Sequence, residues 1–323
     1  MKKINKSIMK LITKMLFLLI FFMTLSTMNM FIVWFFMEFI IITMIPMHTK
    51  NNNNNYNCLM KYYLIQSISS CLFVMLVTLQ YKTIKMNPLM ENFLMNLILL
   101  IKLGLFPFSS WYFQVTENLE WKMWFLINTF QKIIPIWLMS NFINTKLMNW
   151  MIMMNSLYSV MEMTNQNSMR WLMNSSSLNH LSWIIVSMNS YSSNWETYMM
   201  VYILMSMNMY MMVNNYNYKT LMNTFMMKME MKILFCINLM NFMSLPPMLG
   251  FLPKIFIINS INNMYIVTSL LLVNIMMMFY YIFMMKNMMI NVKNSMININ
   301  RDIIYLVNVC MLSSILMLFM YTM

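Results

Sequence analysis

Four ionisable side chains stand in apolar stretches of the sequence. Glu38 lies in "IVWFFMEFIIITMIP", Lys102 in "LLIKLGLFPF", Lys132 in "FLINTFQKIIPIWLM", and Lys254 ends "SLPPMLGFLPK". A charge at the centre of a membrane costs roughly 2.5 to 3.5 kcal/mol on insertion scales, so such residues are rare without a function. Because amines and carboxylic acids bind and release protons, the chemistry predicted for these positions is proton transfer.

The surrounding composition is that of a membrane protein. Hydrophobic residues make up 61% and charged residues 9% of the 323 positions, and the mean hydropathy is +0.62. That leaves too little polar surface to cover a soluble core. We predict an all-α, polytopic membrane protein that contacts phospholipids.

Methionine is unusually abundant, and alanine is absent. The chain has 53 methionines and two glycines. This bias indicates an A+T-rich gene read with a code in which ATA means methionine, as in animal mitochondrial DNA. Most methionines are therefore interpreted as flexible apolar filler rather than as metal ligands.

The scarcity of glycine, cysteine and histidine excludes several kinds of site. The two glycines, Gly104 and Gly250, are too few and too far apart for a dinucleotide-binding motif or a P-loop. The four cysteines and two histidines do not have the spacing of a metal site or of a disulfide framework; they are Cys58, Cys71, Cys236, Cys310, His48 and His180. We expect no metal, no cofactor and no disulfide in this chain.

Apolar segments long enough to cross a bilayer recur along the chain. The prediction is eleven spans, at 11–26, 28–47, 58–80, 90–107, 123–140, 145–162, 170–188, 196–213, 232–254, 262–285 and 302–321. The longer connections, 108–122 and 214–231, are mixed in polarity and are interpreted as helices lying along the membrane surface.

The distribution of lysine and arginine supports this threading. With eleven spans, the side of the N-terminus collects 14 of the 21 basic residues, among them Lys232 and Arg170, and the other side collects three. By the positive-inside rule, the N-terminus faces the matrix or the cytoplasm. The net charge of +13 then needs no nucleic-acid partner. The alternative, a cleaved secretory signal, lacks a small-residue cleavage site.

The deep charges are expected to lie near one another. Glu38 and Lys102 would compensate each other's charge, and Lys132 and Lys254 would continue a hydrated polar line at membrane depth. The alternative is a set of static ion pairs that hold the helices in register. A single acid cannot neutralise three deep lysines, which favours the first interpretation. Lys14, close to a span start, is predicted to reach water at the membrane surface.

Interrupted spans recur at matching positions. We predict one membrane domain, 1–323, with two inverted five-span repeats at 11–140 and 145–285, followed by a last loop and span at 286–323. Lys102 and Lys254 belong to the fourth span of each set, and these spans hold Gly104, Gly250 and four of the seven prolines. Paired helix breaks of this kind indicate an ion site.

Three segments carry a family resemblance. "IKLGLFPFSSWYFQVTENLEWKMWFLINTFQKIIP", "SMRWLMNSSSLNHLSW" and "SLPPMLGFLPK", together with Glu38, resemble the chain 2 family of mitochondrial NADH:ubiquinone oxidoreductase in order and spacing. The composition indicates an insect-like origin.

The resemblance implies an antiporter-like, proton-pumping subunit of respiratory complex I in the mitochondrial inner membrane. Glu38 would modulate Lys102, Lys132 would be the central relay, and Lys254 the hand-off to an exit path. His180 and Ser175 to Ser177 match positions beside that axis. Flavin, iron–sulfur centres and quinone chemistry would lie in the other membrane and peripheral subunits of the complex, which are the implied partners.

This chain departs from the family pattern at a few positions. Ser109 replaces the usual histidine after Pro-Phe, and Ser182 replaces a glycine before Trp183. Glu162 has no counterpart and is expected to face a loop. Two other functions stay open: a stand-alone secondary cation/proton antiporter, which usually needs more than one deep carboxylate, and a purely structural membrane subunit.

Overall fold

The computed structural model of the chain describes residues 2–47, 53–81, 87–142, 145–164, 168–188, 194–216, 229–246, 248–261 and 263–290. These residues form α-helices joined by short connections, as predicted. The helices are α1 (Lys2–Ser26), α2 (Met30–Met47), α3 (Asn53–Tyr81), α4 (Pro88–Leu103), α5 (Ser110–Asn118), α6 (Trp121–Asn128), α7 (Phe130–Asn141), α8 (Thr145–Thr164), α9 (Met169–Met188), α10 (Asn194–Tyr216), α11 (Met229–Met243), α12 (Phe251–Ser260) and α13 (Met264–Ile290). The predicted span 302–321 and several residues used in the threading and in the metal argument lie outside the described residues: His48, Lys50, Lys82, Lys85, Lys219, Lys228, Lys293, Arg301 and Cys310.

The chain forms two compact units, Met1–Leu147 and Met148–Met323. In the first unit, α3 packs against α2, α4 and α5, while α1 packs on α2 and α4 on α7. In the second unit, α9 packs against α10, α12 and α13, and α11 packs against α10 and α13.

Within the described ranges, three helices are long and apolar enough to cross a membrane: Met30–Met47, Tyr56–Tyr81 and Met264–Met288. Helix α9 is an example of a predicted span that is too polar to be included among these three. Helix α9 carries an Asn-Ser-Ser-Ser run, and eighteen of its twenty residues are buried. A helix surrounded by protein does not need a lipid-facing apolar surface.

The predicted interruption after Lys102 is a helix C-terminus. Gly104 has a left-handed backbone with φ 67°, its N–H donates to the Ile101 carbonyl at 3.2 Å, and the Leu105 N–H donates to the Leu100 carbonyl at 3.1 Å. This pair of bonds is a Schellman motif, which glycine favours because it lacks a Cβ atom. Lys102 therefore lies in the last turn of α4.

The second predicted interruption separates α11 from α12. Ser244 has a positive φ of 61°, and its N–H donates to the Asn241 carbonyl at 3.2 Å. Gly250 approaches the same Asn241 carbonyl so closely that a Cβ atom there would collide with it. The chain turns between these residues, and Lys254 falls in the first turn of α12.

A third interruption was not predicted. The expected span 123–140 is divided at Thr129, with φ −111° and ψ −83°, between α6 and α7. Pro135 has no N–H to donate to the Gln131 carbonyl, which weakens the helix just after the break. Lys132 consequently lies in the first turn of α7 rather than at the centre of one continuous helix.

We expect Gly104→Ala to destabilise the protein. A Cβ atom would lie 2.7 Å from Tyr112 Cβ and 3.1 Å from Trp111 Cζ2, and the left-handed backbone costs a non-glycine residue about 1–2 kcal/mol. The measurement is the thermal unfolding midpoint in detergent. Ser109→Ala, in the same connection, is the control because the Ser109 side chain makes no capping hydrogen bond. Equal midpoints for the two variants would contradict the prediction.

Candidate functional site

Glu38 and Lys102 lie close enough in the first unit to interact electrostatically. Their hydrogen bonds nevertheless go to other groups. The Ser70 hydroxyl donates to the Glu38 carboxylate, and the buried Lys102 Nζ donates to Met37 Sδ at 3.6 Å. Sulfur is a weak acceptor. Glu38 and Lys102 therefore form no direct ion pair that a movement of either side chain would have to break.

A small cavity with a mixed apolar and polar lining adjoins Lys102. It is lined by residues that include Met37, Tyr62, Gln66, Lys102, Gln131 and Pro135, and it has about 30 Å³ of room for the centres of water molecules. A cavity needs roughly 10–15 Å³ of such room to hold one water. The cavity thus has space for about two waters, and it reaches from Lys102 to the residue that precedes Lys132.

Amide side chains order the walls of this cavity. Gln66 Nε2 donates to the Lys102 carbonyl at 3.2 Å, and Gln131 Nε2 donates to the Tyr62 hydroxyl. The Lys102 carbonyl is one of the last in α4, where the helix offers no N–H to bond it. The side chain of Gln66 satisfies it instead, and so fixes α3 to the end of α4.

Lys132 is 3% exposed and contacts Tyr112, which lies in helix α5 between α4 and α6. Its Nζ donates to the Tyr112 hydroxyl at 3.2 Å and lies 4.4 Å from the centroid of the Tyr112 ring. Tyr112 belongs to α5, in the connection interpreted from the sequence as a surface helix. That segment is helical, but Trp111, Tyr112, Phe113, Val115 and Thr116 are all buried, so α5 is part of the interior of the first unit.

Lys254 is held in the second unit by an amide and an indole. Its Nζ donates to Asn274 Oδ1 at 3.1 Å and lies 5.4 Å from the Trp183 ring centroid. The same oxygen accepts from Asn179 Nδ2 at 2.8 Å and from Trp183 Nε1 at 3.4 Å. One buried oxygen therefore serves three donors, including the ammonium.

His180 lies on the buried helix α9. Its Nδ1 is 2.9 Å from the Tyr198 hydroxyl, and its ring packs near the rings of Tyr198, Tyr202 and Phe242. The neighbouring Ser175, Ser176 and Ser177 hydroxyls donate to carbonyls three residues back, at 2.8, 2.8 and 2.6 Å. This part of α9 is polar and buried, and its serine hydroxyls are hydrogen-bonded.

Sequence reasoning misplaced two basic residues. Lys232 and Arg170, counted as loop cations, are 2% and 8% exposed. The Lys232 Nζ donates to the Met288 carbonyl near the end of α13, at 3.1 Å. A basic residue next to an apolar segment is usually interpreted as an anchor at the membrane surface. The local sequence looks the same when its side chain is instead buried in the protein. Glu162, expected to face a loop, accepts a hydrogen bond from Trp171 Nε1 at 2.9 Å.

The family model for the membrane domain of NADH:quinone oxidoreductases and Mrp antiporters matches residues 27–280. The chain belongs to this family. Among family members, NADH-ubiquinone oxidoreductase chain 2 of Anopheles gambiae is 30% identical over 297 residues, which cover 87% of this chain and 85% of the relative. The Locusta migratoria chain 2 is 27% identical, covering 77% and 75%.

Solved structures share the fold of the family. A chain of respiratory complex I from Thermus thermophilus superposes with a TM-score of 0.74 at 13% identity, covering 90% of this chain and 72% of the other. A chain of the archaeal membrane-bound sulfane sulfur reductase gives 0.77 at 16% identity, covering 93% and 71%. The resemblance predicted from the sequence motifs is confirmed, and so is the antiporter-like helical fold.

We expect Asn274→Leu to destabilise the second unit strongly. Leucine keeps the volume but removes the oxygen shared by Lys254, Asn179 and Trp183, and a buried group left unsatisfied costs about 1–3 kcal/mol. Thermal unfolding of the purified protein measures the effect. Ser269→Ala on the same helix is the control, because the Ser269 hydroxyl only donates to the Ile266 carbonyl, at 2.8 Å. If both variants unfold at the same temperature, the role given to Asn274 is wrong.

Proposed function

We propose that this chain is the proton-translocating chain 2 subunit of respiratory complex I in the mitochondrial inner membrane. It contributes to NADH:ubiquinone reductase activity as a pumping subunit, and the redox chemistry takes place in other subunits. The observation that carries the proposal is the buried Lys102–cavity–Gln131–Lys132 arrangement in a chain of this family. Such an arrangement offers proton-binding amines separated by space for water.

The proposed mechanism is electrostatic. When Glu38 lies near Lys102 it stabilises the ammonium, and when it moves away the proton is driven toward the cavity and Lys132. At an effective dielectric of about 20, two unit charges attract by about 4 kcal/mol at 4 Å and by roughly 1.7 kcal/mol at 10 Å. Moving one charge against about 150 mV costs roughly 3.5 kcal/mol. A side-chain movement of this size therefore supplies energy of the required order.

The remaining residues complete the proposed route. Lys254 would pass the proton onward, and His180 would be a further site residue beside that axis. We also propose that the N-terminus faces the matrix, that phospholipids and the other complex I subunits surround the chain, and that it has eleven spans. The two inverted repeats, 11–140 and 145–285, stay a prediction.

A stand-alone cation/proton antiporter is the second candidate. A chain of the Mrp complex from Dietzia sp. shares the fold, with a TM-score of 0.72 at 12% identity, covering 80% of this chain and 56% of the other. A cation exchanger usually needs several deep carboxylates, and among the predicted spans Glu38 is the acid placed at depth. The complex I function is therefore favoured.

Lys132→Ala is expected to abolish proton pumping by this subunit while leaving assembly largely intact. The variant removes the amine but retains a small apolar residue in a buried site. The measurement is the proton-to-electron ratio of the assembled complex in vesicles during NADH oxidation. Lys14→Ala, at an exposed position on α1, is the control. A normal ratio in the Lys132 variant would refute the relay.

Migration in a native gel tests the assembly. After solubilisation in mild detergent, the 39.1 kDa chain should co-migrate with a very large assembly that oxidises NADH. Migration as a free monomer or small oligomer, with cation flux in reconstituted vesicles, would support the antiporter instead.

A further inference from the structure

Tyr112 connects two of the proposed proton-carrying elements. It is fully buried and belongs to α5, which follows the helix break beside Lys102. Its hydroxyl and its ring both contact the Lys132 ammonium, at 3.2 Å and at 4.4 Å from the centroid. A hydroxyl acceptor and an aromatic face are two independent sources of attraction for a cation.

The orientation of the Tyr112 hydroxyl is set by a second partner. It donates to Asn128 Oδ1, so its oxygen is presented to Lys132 as an acceptor. Asn128 is the last residue of α6, and Lys132 lies in the first turn of α7. The hydroxyl therefore joins both sides of the interruption at Thr129 and fixes where the ammonium lies relative to it.

The other side of Tyr112 touches the end of the Lys102 helix. The backbone of Gly104 is so close that a Cβ atom there would lie 2.7 Å from Tyr112 Cβ. The adjacent Trp111 Nε1 donates to the Ile101 carbonyl at 3.1 Å. Because packed interiors have little free volume, a shift of this helix end must displace α5.

We infer that Tyr112 is a positioning residue that holds the Lys132 ammonium and, through its contact with Gly104, transmits movement of the Lys102 helix end to it. This inference rests on the proposed function. The two lysines are then linked in two ways: through the cavity, and through the packing of Tyr112 against Gly104.

The test compares Tyr112→Phe and Tyr112→Leu in the assembled complex. Phenylalanine keeps the ring and removes the hydroxyl, and leucine removes both. We expect this subunit's share of pumping, per assembled complex, to fall about fivefold in Tyr112→Phe, the factor that one neutral hydrogen bond contributes, and to approach the Lys132→Ala value in Tyr112→Leu. Tyr81→Phe is the matched control, because Tyr81 is exposed and its ring stacks on Phe31.

The readout separates positioning from simple structural damage. A structural defect would lower the amount of assembled complex and its NADH oxidation with an unchanged proton-to-electron ratio, and that result would overturn the inference. Trp111→Phe removes the hydrogen bond to the Ile101 carbonyl and part of the ring that packs beside Gly104; it tests the transmission and is expected to lower the ratio. Exposed Trp150→Phe is its control.

The outcomes distinguish this inference from the proposed function. A normal ratio in Tyr112→Phe, with pumping abolished in Lys132→Ala, would overturn the inference and leave the function standing. A normal ratio in Lys132→Ala would overturn the function itself. If Tyr112→Phe does not assemble, Trp111→Phe decides, and a normal ratio in that variant would overturn the transmission.

Discussion

The compensation of buried ammonium groups is the constraint on which the rest of the structure depends. Lys102, Lys132, Lys254 and Lys232 are all at most 7% exposed, and a charge removed from water is tolerated only where local groups replace its hydration. Each of these lysines lies within a turn of a helix end. The acceptors nevertheless come from other elements: Met37 in α2 for Lys102, Tyr112 in α5 for Lys132, Asn274 in α13 for Lys254 and the Met288 carbonyl of α13 for Lys232. The packing of neighbouring helices around each lysine therefore accommodates these charges.

The Lys254 ammonium contacts neutral groups, the Asn274 amide oxygen and the Trp183 ring. A carboxylate in hydrogen-bonding contact would hold the ammonium form and would itself become a buried, uncompensated charge if the proton left. A neutral acceptor also attracts the ammonium, but it leaves no buried charge behind when the amine loses its proton. Glu38 acts on Lys102 from outside hydrogen-bonding contact, with Ser70 as its direct partner. These contacts fit changeable protonation better than they fit a set of static ion pairs.

Sequence reasoning predicted the features that depend on residue type and missed those that depend on packing. Glycine and proline indicated the breaks beside Lys102 and Lys254, since few other residues make such turns. The break at Thr129 sits in a run that reads as one continuous apolar helix, and only Pro135 weakens that interpretation. The segment SWYFQVTEN reads as an amphipathic surface helix, because the ammonium that Tyr112 contacts lies twenty residues away and is invisible to local periodicity. Lys232 was missed for the same reason, since its acceptor at Met288 is 56 residues distant.

Lys232 is as buried as the proposed proton carriers but lies in a different electrostatic setting. Its Nζ bonds a carbonyl in the last turn of α13, where the partial negative charge of the helix attracts a cation. Lys102 lies in the last turn of its own helix, with Glu38 as a second source of attraction. Lys132 and Lys254 lie in first turns, where the helix carries partial positive charge and opposes an ammonium. Helix polarity therefore makes the proposed step from Lys102 to Lys132 electrostatically uphill, and such a step needs an external driving movement. Glu38, half-buried and bonded to a single serine hydroxyl among its described contacts, is the charge in the first unit best placed to supply it.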